Sequence, residues 1–211
     1  MAIPSGILRI ATSLALFFAI TWQITDRLIN NVFRPGEYFA YFTIQTSLIA
    51  AVTLMVAGIH TLRGRAETLV LSRVRISVVS YAVVVAVVYN ALLRGLPLAP
   101  TDPDYNYNWP TVPNEILHVW VPIVILLDFI LTTNLVKLRG IYWVLLFPLA
   151  WLLFSILRGL ATDWWAYWFL NPNDDGGLTQ MIQYIFGICA FLIVAALASL
   201  GLNRALGKIR K

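Results

Sequence analysis

A threonine hydroxyl becomes a useful nucleophile only when a base within hydrogen-bond reach can take its proton. Two stretches of this sequence hold those parts. Residues 37–49, EYFAYFTIQTSLI, carry Thr43, with Gln45, Thr46 and Ser47 beside it. Residues 114–133, NEILHVWVPIVILLDFILTT, carry His118 and, further along, Asp128. Both stretches are apolar enough to lie in hydrocarbon, where an ionisable group is costly and faces a cavity or a partner. Thr43 and His118 are therefore the candidate nucleophile and base, each about 6–8 Å below the start of its span at 1.5 Å per residue. Glu115, three residues before His118, shares its helix face and is placed to hold the imidazole. Asn90 and Arg158 are the candidate oxyanion donors by depth, and Gln45 and Ser47 are supporting polar groups. Asp128 lies ten residues, about 15 Å, beyond His118 and reads as a structural carboxylate bonded to Ser77, Ser80 or another buried donor.

Metal chemistry finds no footing in the same residues. His60 and His118 are about 25 Å apart in depth, too far to share a haem. The Glu115–His118 spacing fits a di-iron helix, yet the companion carboxylates are missing. One cysteine, Cys189, forms neither an internal disulfide nor a cysteine cluster and reads as a small buried hydrophobe. No metal and no cofactor are expected.

The elements that must position these groups are membrane spans. The chain has 211 residues, 60% hydrophobic and 12% charged, where a soluble chain is about one quarter charged. Six apolar runs of spanning length lie at 7–28, 38–60, 73–95, 114–135, 141–160 and 179–203. The first is too long for a signal-peptide core and is kept as a span. The fold class is all-α, a bundle of six transmembrane helices forming one membrane domain over 1–211.

Charge sets the orientation. One side holds 11 basic residues, Arg9, Arg75 and the chain's C-terminal lysines among them, against the single acid Glu67. The other holds four basic residues (Arg27, Arg34, Arg94, Arg158) and eight acids. By the positive-inside rule both termini are cytoplasmic, in the cell (inner) membrane. The net charge of +5 follows from topology and implies no nucleic-acid partner. Polar groups recur near the outer end of every span, which argues for a polar cavity opening outward. The outer segment DWWAYWFLNPNDDGG, 163–177, reads first as an interfacial aromatic belt and second as a lid.

The sequence FTIQTS in span 2, LHVWVP with a following Asp in span 4, and LRG…WWAYWFLNP after span 5 together resemble a known family. They are similar to bacterial six-span relatives of the androgen-induced membrane hydrolases. The resemblance covers nearly the whole chain. It implies a membrane-embedded hydrolase of fatty acid esters of hydroxy fatty acids, with Thr43 and His118 as the required residues. Where relatives read W-Y-P-Y-x-F, this chain has Trp164-Trp165-Ala166-Tyr167-Trp168-Phe169, and the missing proline changes the expected lid. The substrate would be a lipid or long-chain acyl ester drawn from the bilayer. The alternatives are a non-catalytic lipid-binding or carrier protein, or a small transporter or assembly factor.

Overall fold

The computed structural model describes residues 2–97, 104–132 and 134–209. Asp102, Arg210 and Lys211, and the side chain of Arg139, enter the charge count above and lie outside what is described. Six helices are long and apolar enough to cross a membrane: α1 Ile3–Ile29, α2 Phe42–Leu62, α3 Leu69–Leu93, α4 Thr111–Leu131, α5 Gly140–Thr162 and α6 Gly177–Ile209. The chain is an all-α, multi-spanning integral membrane protein.

Contacts between helix ends fix their directions. A Cβ added to Gly58, late in α2, would lie 2.7 Å from Ile10 and 2.9 Å from the Gly6 carbonyl. The start of α1 is thus pressed against the end of α2, the close approach that small residues allow between membrane helices. Late in α6, Asn203 Nδ2 donates to the carbonyls of Phe129 and Thr132, both at 2.6 Å, where α4 ends. Arg9 of α1 reaches the hydroxyl of the same Thr132 at 3.1 Å. The beginning of α1 and the end of α6 therefore share one end of the bundle, called here the terminal end.

Helices α1 to α4 form a ring in which α1 and α3 each pack against both α2 and α4. Helices α2 and α4 are diagonal partners, so the side-by-side packing needed to join Thr43 directly to His118 is replaced by packing through α1 and α3. Helix α6 packs on α3 and α4. Helix α5 is attached at its first turns, the 3-10 stretch Leu138–Leu145, which packs on α3 and α6. Its remainder, Leu146–Thr162, does not pack closely on α6, and a wedge-shaped gap between the two is lined by both helices.

Most boundaries shift by a few residues from the sequence reading, α6 running on to Ile209, and two of the shifts bear on the site. Helix α2 begins at Phe42, because Pro35–Tyr38 forms its own short turn with proline at the first helical position. Side chains take the carbonyls freed in the break: Gln45 Nε2 bonds Phe39 O at 2.8 Å and Trp151 Nε1 bonds Ala40 O at 2.9 Å. Helix α4 ends at Leu131, where Thr132 turns extended.

Asp128 is bonded to buried donors, as the sequence suggested, though not to the two serines named. Ser77 and Ser80 spend their hydroxyls on the carbonyls of Arg73 and Ile76, one turn back. Asp128 is instead gripped by two arginines that charge counting had assigned to the aqueous loops. Arg9 Nε donates to its two oxygens at 2.9 and 3.0 Å, and Arg75 Nη2 donates at 3.0 Å. Arg9 also bonds Thr61, and Arg75 pairs with Glu67. Arg9, Arg75 and Asp128 are each at most 5% exposed. Two guanidiniums and two carboxylates balance, which is how buried charge is tolerated.

Candidate functional site

The wedge between α5 and α6 holds a cavity of about 640 Å³, open solvent included. Its walls are Val84, Val85 and Val88 of α3, Trp151 and Leu152 of α5, and Ile185, Ile188 and Leu192 of α6. The segment 163–170 folds down to close its far end with Tyr167, Phe169 and Leu170. Phe169 and Leu170 are buried, and Tyr167 stacks on Phe169 at 5.2 Å between ring centroids. This aromatic stretch is thus a cover packed into the bundle more than a belt around it. The cavity is apolar: only Thr43, Tyr89, Tyr167, Trp151 and Cys189 bring polar side-chain atoms to its lining. The polar cavity expected from the pattern of outer residues is replaced by an apolar one with a few polar groups.

Thr43 stands in this lining as the second residue of α2, shallower than the depth assigned from sequence because the helix starts at Phe42. Its neighbour is the Tyr167 hydroxyl, which accepts from the Thr43 backbone N–H at 3.5 Å and pairs with its side chain. Burial pushes the Tyr167 phenol up from its ordinary value. A protonated phenol beside Thr43 is a donor and not a base.

His118 is one layer behind the lining. Its ring stacks on Tyr89, 3.8 Å between centroids and 22° from parallel, and Tyr89 is the residue that faces the cavity. Both rings sit on wide π-turns, Tyr89–Leu93 in α3 and Ile116–Trp120 in α4, a feature that recurs at functional sites. The turn in α4 has a local cause. Pro122 has no N–H to give the His118 carbonyl four residues back, and Asn90 Nδ2 supplies a donor to it at 3.4 Å. His118 Nδ1 lies 2.9 Å from the Asn114 carbonyl. A carbonyl only accepts, so Nδ1 carries the proton and Nε2 of a neutral ring keeps its lone pair.

The remaining candidates fall into place around this pair. Glu115 does not hold the imidazole; it pairs with Arg94 at 2.7 Å because the π-turn rotates it toward the end of α3. Asn90 is committed to the His118 and Ala86 carbonyls and to Arg94. Arg158 lies on the Trp164 ring at 4.3 Å. Gln45 closes the break before α2, as above. Ser47 lines the separate small cavity of about 270 Å³ at the centre of the α1–α4 ring, with Thr46 and Leu117. Among the described residues there is no group of three potential metal ligands.

The structure therefore brings Thr43 together with Tyr167, and His118 together with Tyr89, at one cavity wall. No hydrogen bond joins the two pairs among the described residues. Sequence reasoning missed Tyr89 and Tyr167 as site residues. Tyr167 was legible only as one of several interfacial aromatics; Pro122 hinted at the π-turn in α4, and nothing in the sequence marked the one in α3 that carries Tyr89. Compared with family models, curated proteins and solved structures, the chain matches none of them.

Proposed function

We propose that this protein binds the acyl chain of a membrane lipid in the α3–α5–α6 cavity, in the cell membrane and with both termini cytoplasmic. The observation that carries this reading is the lining itself: an almost wholly apolar pocket walled chiefly by three membrane helices, α3, α5 and α6. Burial of each CH₂ there contributes about 0.8 kcal/mol, and access from the bilayer needs no aqueous path.

Cys189, the single cysteine, lines the pocket and makes the test direct. In full-length protein in phosphatidylcholine nanodiscs, alkylation of Cys189 by a membrane-permeant maleimide should slow when a long-chain monoacylglycerol is added. Val88→Trp, which fills the pocket, should remove that protection. Equal alkylation rates with and without the acyl lipid would overturn the reading.

Hydrolysis of a bound ester is the second reading. The observations that favour it are the Thr43 hydroxyl at the pocket wall and the His118 tautomer with Nε2 free to accept. In that reaction the Thr43 oxygen attacks the ester carbonyl, its proton passes to His118 Nε2, and His118 returns it to the departing alcohol. Water then cleaves the acyl-threonine, releasing the fatty acid and restoring the hydroxyl. For Nε2 to reach Thr43, Tyr89 must turn aside and the diagonal helices α2 and α4 must draw together across the cavity wall; the resemblance to the androgen-induced hydrolases supports the same two residues. A fluorophosphonate probe should label the wild type and not Thr43→Ala; equal labelling of both would remove hydrolysis and leave lipid binding standing.

A further inference from the structure

The end of the bundle opposite the termini carries four arginines, and their partners differ. Arg27 and Arg34 both reach Asp104, Arg34 also holds Glu37, and Arg94 holds Glu115. Arg158 has no carboxylate and no hydrogen-bond acceptor for its guanidinium among the described residues, and its Nη1 is buried without a partner. Gly36 of the α1–α2 connection is close to it: a Cβ added there would lie 3.9 Å from Nη2. Glu37, next in sequence, is already taken by Arg34. The guanidinium is held in place by the face of Trp164, so it is positioned without being neutralised.

Position ties this cation to the pocket. Pro148 and Trp151 line the cavity, and Ser155 and Arg158 continue the same face of α5 at helical spacing. Arg158 stands seven residues beyond Trp151, about 10 Å toward the far end. Trp164, which it covers, contacts Tyr41 at 5.5 Å, and Tyr41 contacts Tyr167 of the pocket cover at 5.8 Å. An acyl chain lying in the wedge would leave its headgroup at this level.

We infer that Arg158 is the headgroup site of the acyl pocket and that the lipid bound there bears an anionic oxygen group, a phosphate or a carboxylate. This rests on the acyl-binding reading and adds a charge requirement to it. A guanidinium offers a fork of N–H donors matched to either oxyanion. An arginine serving only as an interfacial anchor for bulk lipid would give no preference among ligands of equal chain length.

The test uses the Cys189 protection assay on the full chain in phosphatidylcholine nanodiscs, with three probes of one chain length: palmitate, palmitoyl lysophosphatidate and neutral monopalmitoylglycerol. The anionic probes should protect at roughly tenfold lower concentration than the neutral one, the scale of a charge-assisted hydrogen bond. The better of the two anionic probes names the carboxylate or the phosphate. Arg158→Gln should bring the anionic probes to the level of the neutral one, and Arg158→Lys should keep part of the difference. A wild type without anionic preference, or a preference that survives in Arg158→Gln, overturns the headgroup assignment while neutral protection still upholds acyl binding. Protection by none of the three overturns acyl binding itself.

Discussion

Asp128 shows at the level of one residue how far burial can be felt. It is the shared anion of Arg9 and Arg75, and both arginines are almost fully buried. Asp128→Ala would leave two guanidiniums with one remaining carboxylate, Glu67. Breaking a buried pair from one side costs about 3–5 kcal/mol, because the surviving charge is uncompensated. The expected outcome is a large drop in thermal unfolding midpoint in detergent, with Arg9→Met/Asp128→Leu less damaging than Asp128→Ala alone. Equal midpoints for wild type and Asp128→Ala would show that the cluster contributes nothing to stability. For Thr43 and His118 the expectation is of another kind. If turnover of long-chain esters is found, Thr43→Ala and His118→Ala should each abolish it, and the double change should cost little more, since members of one catalytic unit are not additive. Thr43→Ser should keep part of the rate because the hydroxyl survives.

Elements, more than residues, decide what the sequence could disclose. The six spans were legible because length and apolarity alone specify them, and their number and order agree with the structure. Helix neighbours were not legible: the diagonal placing of α2 and α4 depends on which faces carry small residues, such as Gly6 and Gly58, and period alone does not rank those faces. The π-turns were hidden for a similar reason, since each inserts a residue into the helical repeat and so shifts Tyr89 and Glu115 off the faces that a 3.6-residue period assigns. Arg9 and Arg75 misled because arginine near a span end ordinarily snorkels to water. The aromatic segment offers an element-scale test. A Cβ on Gly159 would lie 2.6 Å from the Trp165 ring, a clash that rigid indole atoms cannot relieve by small motions. Gly159→Ala should therefore push Trp165 and the stretch behind it outward, uncovering the pocket. The checkable result is faster Cys189 alkylation and loss of acyl protection, with overpacking costing about 1–3 kcal/mol of stability. Unchanged protection would mean that the cover is dispensable.

The whole molecule is asymmetric in charge, and the structure removes two members from the count without reversing it. Arg9 and Arg75 are held in ion pairs inside the bundle and no longer speak to the aqueous side. Nine basic residues are still assigned to the terminal end, where Glu67 is bound to Arg75. At the opposite end Arg27, Arg34 and Arg94 are each cancelled by an acid, which leaves Arg158 as the free cation among the described residues there. Translocation reads lysine and arginine near span ends, with acids counting little, and nine against four keeps the direction that the bare count gives. The terminal end, with the 63–68 connection and both chain termini, is expected to face the cytoplasm. A cysteine placed at Val70, an exposed position at the start of α3, in a Cys189→Ala background, should react with an impermeant maleimide only after the cells are opened. One placed at Asp174, in the α5–α6 connection, should react in intact cells. The reverse pattern would invert the molecule. It would also set the pocket mouth and Arg158 against the inner leaflet, so that the anionic lipids of the cytoplasmic face would become the ligands to test first.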